Sequence, residues 1–191
     1  IEARLSKFGL EVIFNPKTTN WGLSYDGRNK EPLTLLVKFP LVLAQGVEGI
    51  AVGLATKILP HNFNELIDAS IQILRGKKAV IFPDFITGGI ADFSDYKDGL
   101  RGGKIKIRAR VKELNPKTLV ISEIPYGLNK ASLLEKIADL HKEKKVLGIA
   151  DLRDESSRGE VRIVIDLKRD AFPKKLLNQL FKLTPLQGSF N

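Results

Sequence analysis

The fold class of this chain follows from residues 104–112, whose sequence is KIKIRARVK. Basic residues occupy the even positions and apolar residues the odd positions. Successive side chains of a β-strand point to opposite faces, so this pattern predicts a strand with one basic face and one apolar face. The segment Asn115-Pro116-Lys117 predicts a turn, after which residues 118–123 predict a second strand that pairs back on the first.

The C-terminal third of the chain predicts two helices and two further strands. We expect a helix after Asn129, strands over residues 146–152 and 161–167, and a last helix from Pro173. Their apolar faces contain Leu133, Leu134, Ile137, Ala138 and Leu140 in the first helix and Leu176, Leu177, Leu180 and Phe181 in the second. The order ββαββα predicts an α+β fold in which helices cover one side of an antiparallel sheet, as a two-layer sandwich.

The N-terminal half has less regular patterns. Glycines interrupt the apolar residues 46–53, which predicts tight turns rather than a regular strand. Asn62, with Glu65 three residues later, predicts the start of a helix that ends at Gly76. Residues 83–103 are rich in Gly, Asp and Pro. We place a domain boundary within them, which gives domains of residues 1–90 and 91–191.

Composition excludes several classes of protein. The chain has 191 residues, of which 43% are hydrophobic and 28% charged, a balance typical of globular domains. It contains no cysteine, which excludes disulfide scaffolds, cysteine-ligated metal sites and thiol nucleophiles. It also contains no methionine and begins at Ile1. We therefore expect it to be a piece of a longer protein.

The charge of the chain indicates the kind of partner. Lysine and arginine total 31 against 22 acids, a net charge of +9, which favours a polyanion such as nucleic acid over an anionic membrane. A basic surface that only contacts solvent is the alternative. No stretch is apolar enough for a membrane span and no signal peptide is evident at the start, so we expect a cytoplasmic protein without a membrane partner.

The basic strand is the strongest local signal for binding. Residues 101–112 contain six cations and no acid. Alternate side chains on a strand lie about 6.6 Å apart, so the cations would form a row suited to a phosphate backbone. A solvated outer face of a half-exposed sheet would give the same pattern. The face lacks interleaved aromatic residues, which disfavours readers of single strands.

The isoleucine at position 50 has two possible roles. It lies within Gly49-Ile50-Ala51-Val52-Gly53. An apolar side chain projected between glycines can act as a wedge between base pairs. Burial in a core is the more common role for isoleucine.

Catalytic patterns are scarce. His61 and His141 are the only histidines, and capping or surface roles suit both. The acids of residues 151–155 predict a loop with ion pairs. No phosphate-binding loop, nucleophile elbow or metal-binding helix motif is present. The residues themselves therefore predict a binding platform, and they predict no metal site.

Seven stretches together match one family in sequence order. They are residues 2–6 (EARLS), 25–27 (YDG) with 30–32 (KEP), 49–56 (GIAVGLAT), 60–62 (PHN), 83–85 (PDF), 123–126 (EIPY) and 152–156 (LRDES). With these motifs the sequence resembles the A subunit of the bacterial type IIA topoisomerases, DNA gyrase and topoisomerase IV. The likeness runs from end to end of the chain.

The resemblance implies an enzyme that cuts one duplex, passes another through it and reseals the cut, driven by ATP. It implies that residues 1–90 belong to the breakage–reunion region and 91–191 to the tower domain. The nucleophilic tyrosine of the family immediately precedes the position of Ile1, so the chain itself would be inactive. ATP and Mg²⁺ would bind the partner B subunit, within an assembly of two A and two B subunits.

The resemblance also implies DNA contacts. Ile50 matches the isoleucine that intercalates and bends the gate duplex, which favours the wedge role over a core role. The candidate cations of the tower are Arg101, Lys104, Lys106 and Arg108. Departures from the family pattern occur at Leu59, Val47-Glu48, Gly127 and Ser132. Two other functions remain possible. The chain could be a separate basic α+β nucleic-acid-binding module, such as a ribosomal one, or a scaffold without DNA affinity.

Overall fold

The computed structural model of the chain describes residues 4–191. These form two compact units, which divide between Pro83 and Asp84. The first unit contains three helices and two β-hairpins within the described residues. Its helices are α1 (Lys7–Val12), α2 (Leu41–Gln45) and α3 (Phe63–Leu74), and its strands are β1 (Trp21–Leu23), β2 (Lys30–Pro32), β3 (Val47–Ala51) and β4 (Leu54–Ile58).

Helix α3 begins and ends where the sequence predicts. The Asn62 side chain accepts hydrogen bonds from the backbone N–H groups of Asn64 and Glu65. Leu66 and Ala69 are buried along one face of the helix. Arg75 is the C-cap residue of the helix, and Gly76 follows it in the left-handed conformation with a φ of 72°. These contacts satisfy backbone groups that a helix end leaves without intrahelical partners.

The prediction that residues 46–53 lack a regular strand is wrong. Strands β3 and β4 pair in antiparallel register, with Ile50 opposite Ala55 and Ala51 opposite Leu54. Only Val52 and Gly53 connect the strands, and Gly53 has a φ of 72°. Glycine therefore provides the turn of a hairpin instead of preventing strand formation. Backbone hydrogen bonds to β4 compensate for the low strand propensity of glycine.

The second unit is built mainly from antiparallel strands. Its elements are β5 (Ile90–Asp95), β6 (Lys104–Arg108), β7 (Arg110–Asn115), β8 (Thr118–Glu123), α4 (Lys130–Lys142), β9 (Ile149–Asp154), β10 (Ile163–Leu167), α5 (Pro173–Leu183) and β11 (Gln187–Phe190). One sheet has the strand order β7-β8-β10-β9 and another has the order β11-β6-β5. The order ββαββα of the first sheet and its helices confirms the predicted α+β fold class.

The core of the second unit lies between the four-stranded sheet and its two helices. Helix α4 contributes Leu133, Ile137 and Leu140, and α5 contributes Leu176 and Leu180. The strands contribute Leu119, Ile121, Ile149, Ile163, Ile165 and Leu167. Both helices thus cover the same face of the sheet, as the apolar periodicity predicts. Strand β9, predicted over residues 146–152, begins only at Ile149. Val146 lies in the loop before β9 and packs into this core from there.

The segment 104–112 is divided between two strands and two sheets. Its alternation is confirmed, since Ile105, Ile107 and Ala109 are buried while the even positions are exposed. The prediction of one continuous strand is wrong. Strand β6 ends at Arg108, and the backbone N–H of Ala109 donates to the carbonyl oxygen of Leu186. The chain then enters the second sheet as β7.

Residues 84–90 group with the second unit, whereas the sequence-based boundary places them in the first. The ring of Phe85 stacks on Tyr126, with centroids 5.2 Å apart. Ile90 pairs with Arg108 across β5 and β6. These contacts hold the segment to strands of the second unit.

A core substitution tests the sandwich. Ile165, fully buried in β10, packs in the apolar layer, so Ile165→Ala should lower the free energy of unfolding by about 3 kcal/mol through lost packing and a residual cavity. Urea denaturation followed by circular dichroism measures this change. Leu114→Ala, at an exposed position of the same sheet, is the control and should change the value by less than about 0.5 kcal/mol.

Candidate nucleic-acid interface

The hairpin of β3 and β4 presents Ile50 to solvent. The side chain is 88% exposed, so the core role weighed for this residue is excluded by the structure. Its neighbours across the turn, Val52 and Leu54, are exposed as well. Since burial of such side chains is favourable, an apolar hairpin tip without cover is a surface suited to contact with another molecule.

The acid next to Ile50 has a partner on the opposite strand. Glu48 and Lys57 are paired in the hairpin register, and Lys57 Nζ lies 3.2 Å from both carboxylate oxygens of Glu48. Because strand side chains alternate, this ion pair lies on the same face as Ile50. The negative charge that would repel a phosphate backbone beside Ile50 is thus compensated within the hairpin.

The basic residues of β6 lie on one exposed face, and several of them contact other strands. Lys106 Nζ lies 3.9 Å from Asp92 and 4.0 Å from Asp95, both on β5. Hydrogen bonds from Ser94, together with Lys106, hold the pKa of Asp92 below its usual value, so the acid is ionised at neutral pH. The row of cations therefore carries less net charge than the sequence suggests.

Arg108 has contacts of a different kind. Its guanidinium Nε donates to Gln187 Oε1 at 2.8 Å, and Nη2 donates to the same oxygen. The guanidinium carbon lies 4.6 Å from the ring centroid of Phe181. These contacts orient the side chain without neutralising it, and they leave a positive charge in a defined position.

The other two candidate cations lie at the start of β6. Arg101 is exposed in the turn between β5 and β6, and Lys104 stands opposite Asp95 in the strand register. Within the described residues neither forms an ion pair within 4 Å. The structure thus brings Lys104, Lys106 and Arg108 onto one strand face, with Arg101 in the turn that precedes it.

Sequence reasoning missed the role of Glu123. Its carboxylate Oε2 accepts the backbone N–H of Gly89 at 2.5 Å and Arg110 Nε at 2.9 Å. These hydrogen bonds, that from Gly89 foremost, lower the pKa of Glu123. Gly88 has a φ of 71°, and a Cβ on it would lie 2.5 Å from the same oxygen. The glycine pair that follows Phe85 therefore packs against Glu123, the first residue of the segment 123–126.

The acidic segment 151–155 is a strand rather than the predicted loop, because residues 149–154 pair with β10. Its ion pairs are confirmed. Arg153 contacts Asp151, Glu155 and Asp166, and Lys130 Nζ lies 2.7 Å from Asp154. The Lys130 contact foremost lowers the pKa of Asp154 to about 2. Each carboxylate of this segment thus forms an ion pair with a cation on the sheet surface.

Both histidines make contacts to backbone carbonyl oxygens. His61 Nδ1 lies 3.2 Å from the oxygen of Leu43, and His141 Nδ1 lies 3.3 Å from that of Val146. Among residues 4–191, no three side chains of His, Asp or Glu are grouped as metal ligands. None of the helices in this part of the chain is long and apolar enough to cross a membrane.

Comparison with known proteins identifies the family of the chain. The family of DNA gyrase/topoisomerase IV A subunits matches residues 1–191. The chain belongs to this family. Three of its relatives are the DNA gyrase A subunit of Clostridium acetobutylicum, 42% identical over 99% of the chain, that of Neisseria gonorrhoeae, 42% identical over 99%, and the DNA topoisomerase 4 A subunit of Borreliella burgdorferi, 39% identical over 100%.

The chain spans about a quarter of the length of these gyrase and topoisomerase relatives, namely 25%, 23% and 30%. Two of the positions that depart from the family pattern have defined surroundings here. Leu59 is buried in the first unit, and the Ser132 backbone N–H donates to the Asn129 cap. The motif residues 2–3, and the position before Ile1 that the resemblance assigns to the nucleophilic tyrosine, lie outside the described residues.

The Glu123 contact predicts a pH dependence of stability. Its pKa is lower in the folded state, so its contribution is present above about pH 4.5 and is lost as the pH falls towards the folded-state pKa. Glu123→Gln should reduce the free energy of unfolding at pH 7 by about 1 kcal/mol, and the difference from the unsubstituted chain should shrink below pH 4. Urea denaturation between about pH 3 and 7 measures both.

Glu113→Gln serves as the matched control, since Glu113 is an exposed acid on the neighbouring strand β7. It should alter stability by less than about 0.5 kcal/mol at either pH. Equal effects of the two substitutions would contradict the assigned role of Glu123.

Proposed function

We propose that this chain is the part of a type IIA topoisomerase A subunit that supports and bends the gate duplex. The observation that carries the proposal is the exposure of Ile50 at 88% on a hairpin whose nearby acid is paired with Lys57. Residues 1–90 would belong to the breakage–reunion region and 91–191 to the tower. The chain would act within ATP-dependent strand breakage, passage and rejoining.

The Ile50 side chain has the size and position that a DNA wedge requires. Separation of stacked base pairs costs a few kcal/mol per step, and contact of the apolar side chain with the bases compensates part of this cost. A short hairpin with complete cross-strand pairing holds the backbone of Ile50 in place, so little backbone entropy is lost on insertion. The alternating face of β6 would contact the phosphates of the bent flanks.

The rest of the reaction would depend on groups beyond the described residues. We propose that the nucleophile is a tyrosine just before Ile1 and that the chain is inactive without it. ATP and Mg²⁺ would bind a partner B subunit, as the family resemblance implies. The assembly would contain two A and two B subunits, bind duplex DNA and act in the cytoplasm.

A scaffold role is the second candidate. It is favoured by the acids of β5, because Asp92 and Asp95 lie within 4.0 Å of Lys106 Nζ. In that case the basic face would remain solvated and would contribute no DNA affinity. Exposed ion pairs of this kind are worth little energy, so phosphates can compete for the lysine, and we favour the DNA role.

Replacement of the wedge tests the bending role. Ile50→Ala should reduce the bend of a 30-base-pair duplex, measured by energy transfer between dyes at its ends, because the side chain that holds a base step open is lost. Leu74→Ala is the control, since Leu74 is 87% exposed in the same unit. Equal bending of the duplex by both variants and by the unsubstituted chain would contradict the wedge assignment.

A salt series tests the basic face. If Arg101, Lys104, Lys106 and Arg108 contact phosphates, the logarithm of the affinity for a duplex should fall with the logarithm of salt with a slope of about −3.6. Lys104→Ala combined with Lys106→Ala should reduce the slope by about 1.8. Fluorescence anisotropy measures the affinity.

Lys136→Ala combined with Lys142→Ala removes the same charge from exposed positions of α4 and is the matched control. It should leave the slope unchanged. Undetectable binding at low salt would favour the scaffold role, and equal slopes for the two double variants would place the phosphate contacts elsewhere.

A further inference from the structure

The second unit contains a cavity of about 450 Å³ that the proposed DNA contacts do not use. It lies beside the first turns of α5, between the loop that follows α4 and the loop that joins β10 to α5. Leu147, Phe172, Leu176, Lys168, Lys175 and Gln179 are among the residues that line it. Its volume is within the range of sites that bind small molecules or single side chains.

The lining is apolar where a side chain could enter. Leu147 and Phe172 are 64% and 74% exposed, and Leu176 is part of the buried core. Full burial of a large apolar side chain contributes about 1.5–3 kcal/mol. Two such residues on the lining of one cavity therefore favour an occupant that is itself apolar.

The loops around the cavity are held by hydrogen bonds. Lys117 Nζ donates to the carbonyl oxygens of Arg169 at 2.7 Å and Ala171 at 3.1 Å. The backbone N–H of Lys168 donates to the oxygen of Gly148 at 2.8 Å. A Cβ on Gly148 would lie 2.8 Å from the Cβ of Ala171, so a larger residue would crowd the lining. A preformed site loses little entropy when it binds.

The charges on the lining are mainly positive. Lys168 and Lys175 face the cavity together with one acid, Asp170. Within the described residues, none of the three forms an ion pair within 4 Å. The two cations are therefore available to negative groups of an occupant.

We propose that this cavity binds an acidic peptide segment, which inserts one aromatic or leucine side chain and directs flanking carboxylates towards Lys168 and Lys175. The apolar lining favours a peptide over duplex DNA, because a duplex presents phosphates and keeps its bases stacked inside. Charged residues around a buried apolar anchor are the usual arrangement of such contacts. The site stands on observations independent of the proposed DNA role.

The test uses the 191-residue chain and the fluorescein-labelled peptide EDEFDED. Anisotropy should show saturable binding, and the peptide EDESDED, which lacks the apolar anchor, should bind at least about tenfold more weakly. Lys168→Glu combined with Lys175→Glu should weaken binding of EDEFDED by about tenfold or more. Arg169→Glu combined with Lys174→Glu has the same charge change beside the cavity and should stay within about twofold.

The proposal would be overturned by a lack of binding of EDEFDED at about 1 mM, by an equal loss of affinity in the two double variants, or by equal affinity for the two peptides. Displacement of the peptide by a 20-base-pair duplex would also overturn it and would assign this face to DNA. Circular dichroism of each variant verifies folding, and Phe172→Ala, which removes an exposed side chain from the lining, provides a second variant that should weaken binding.

Discussion

The second unit depends on one apolar layer, which is sealed between the four-stranded sheet and helices α4 and α5. Ile121, Ile163 and Ile165 reach it from the strands, and Leu133 and Leu180 reach it from the helices. The other face of the sheet carries ion pairs together with the buried side chains of Val120 and Val164. The loops around the cavity adjoin helix α5, which is buried on one side in this layer. The cations of β6 are backed instead by Ile105 and Ile107, which are buried on the other face of that strand.

Much of this fold can be predicted from local periodicity, because the periods of strands and helices are properties of short segments. The apolar faces of α4 and α5 and the alternation of residues 104–112 are examples. The break at Ala109 could not be predicted, since it depends on a hydrogen bond to Leu186, which is distant in sequence. The hairpin of β3 and β4 was missed because its glycines disfavour strands locally, while the stabilising hydrogen bonds come from the partner strand.

In the candidate site, too, the sequence predicts which residues take part but not which contacts they make. The sequence identifies Ile50 and the cations of β6, but exposure and pairing are tertiary properties. A count of cations cannot reveal that Asp92 and Asp95 lie beside Lys106 or that Lys57 compensates Glu48. The Glu123 contact was also hidden, because the glycines that it binds precede it by more than thirty residues. The motifs that carry the resemblance to gyrase and topoisomerase IV A subunits likewise do not reveal that Phe85 stacks on Tyr126.

The passage of the chain at Ala109 has a mechanical consequence. Strands β6 and β7 are separated by this single buried residue, which spans only about 3.5 Å of backbone. A force on the side chains of β6 is therefore transmitted through the backbone to the four-stranded sheet, because no flexible loop separates β6 from β7. A rotation of the three-stranded sheet against the four-stranded sheet would change the φ and ψ angles of Ala109 and would act on its hydrogen bond to Leu186. The single-residue connection therefore keeps the end of β6 and the start of β7 close together in any such movement.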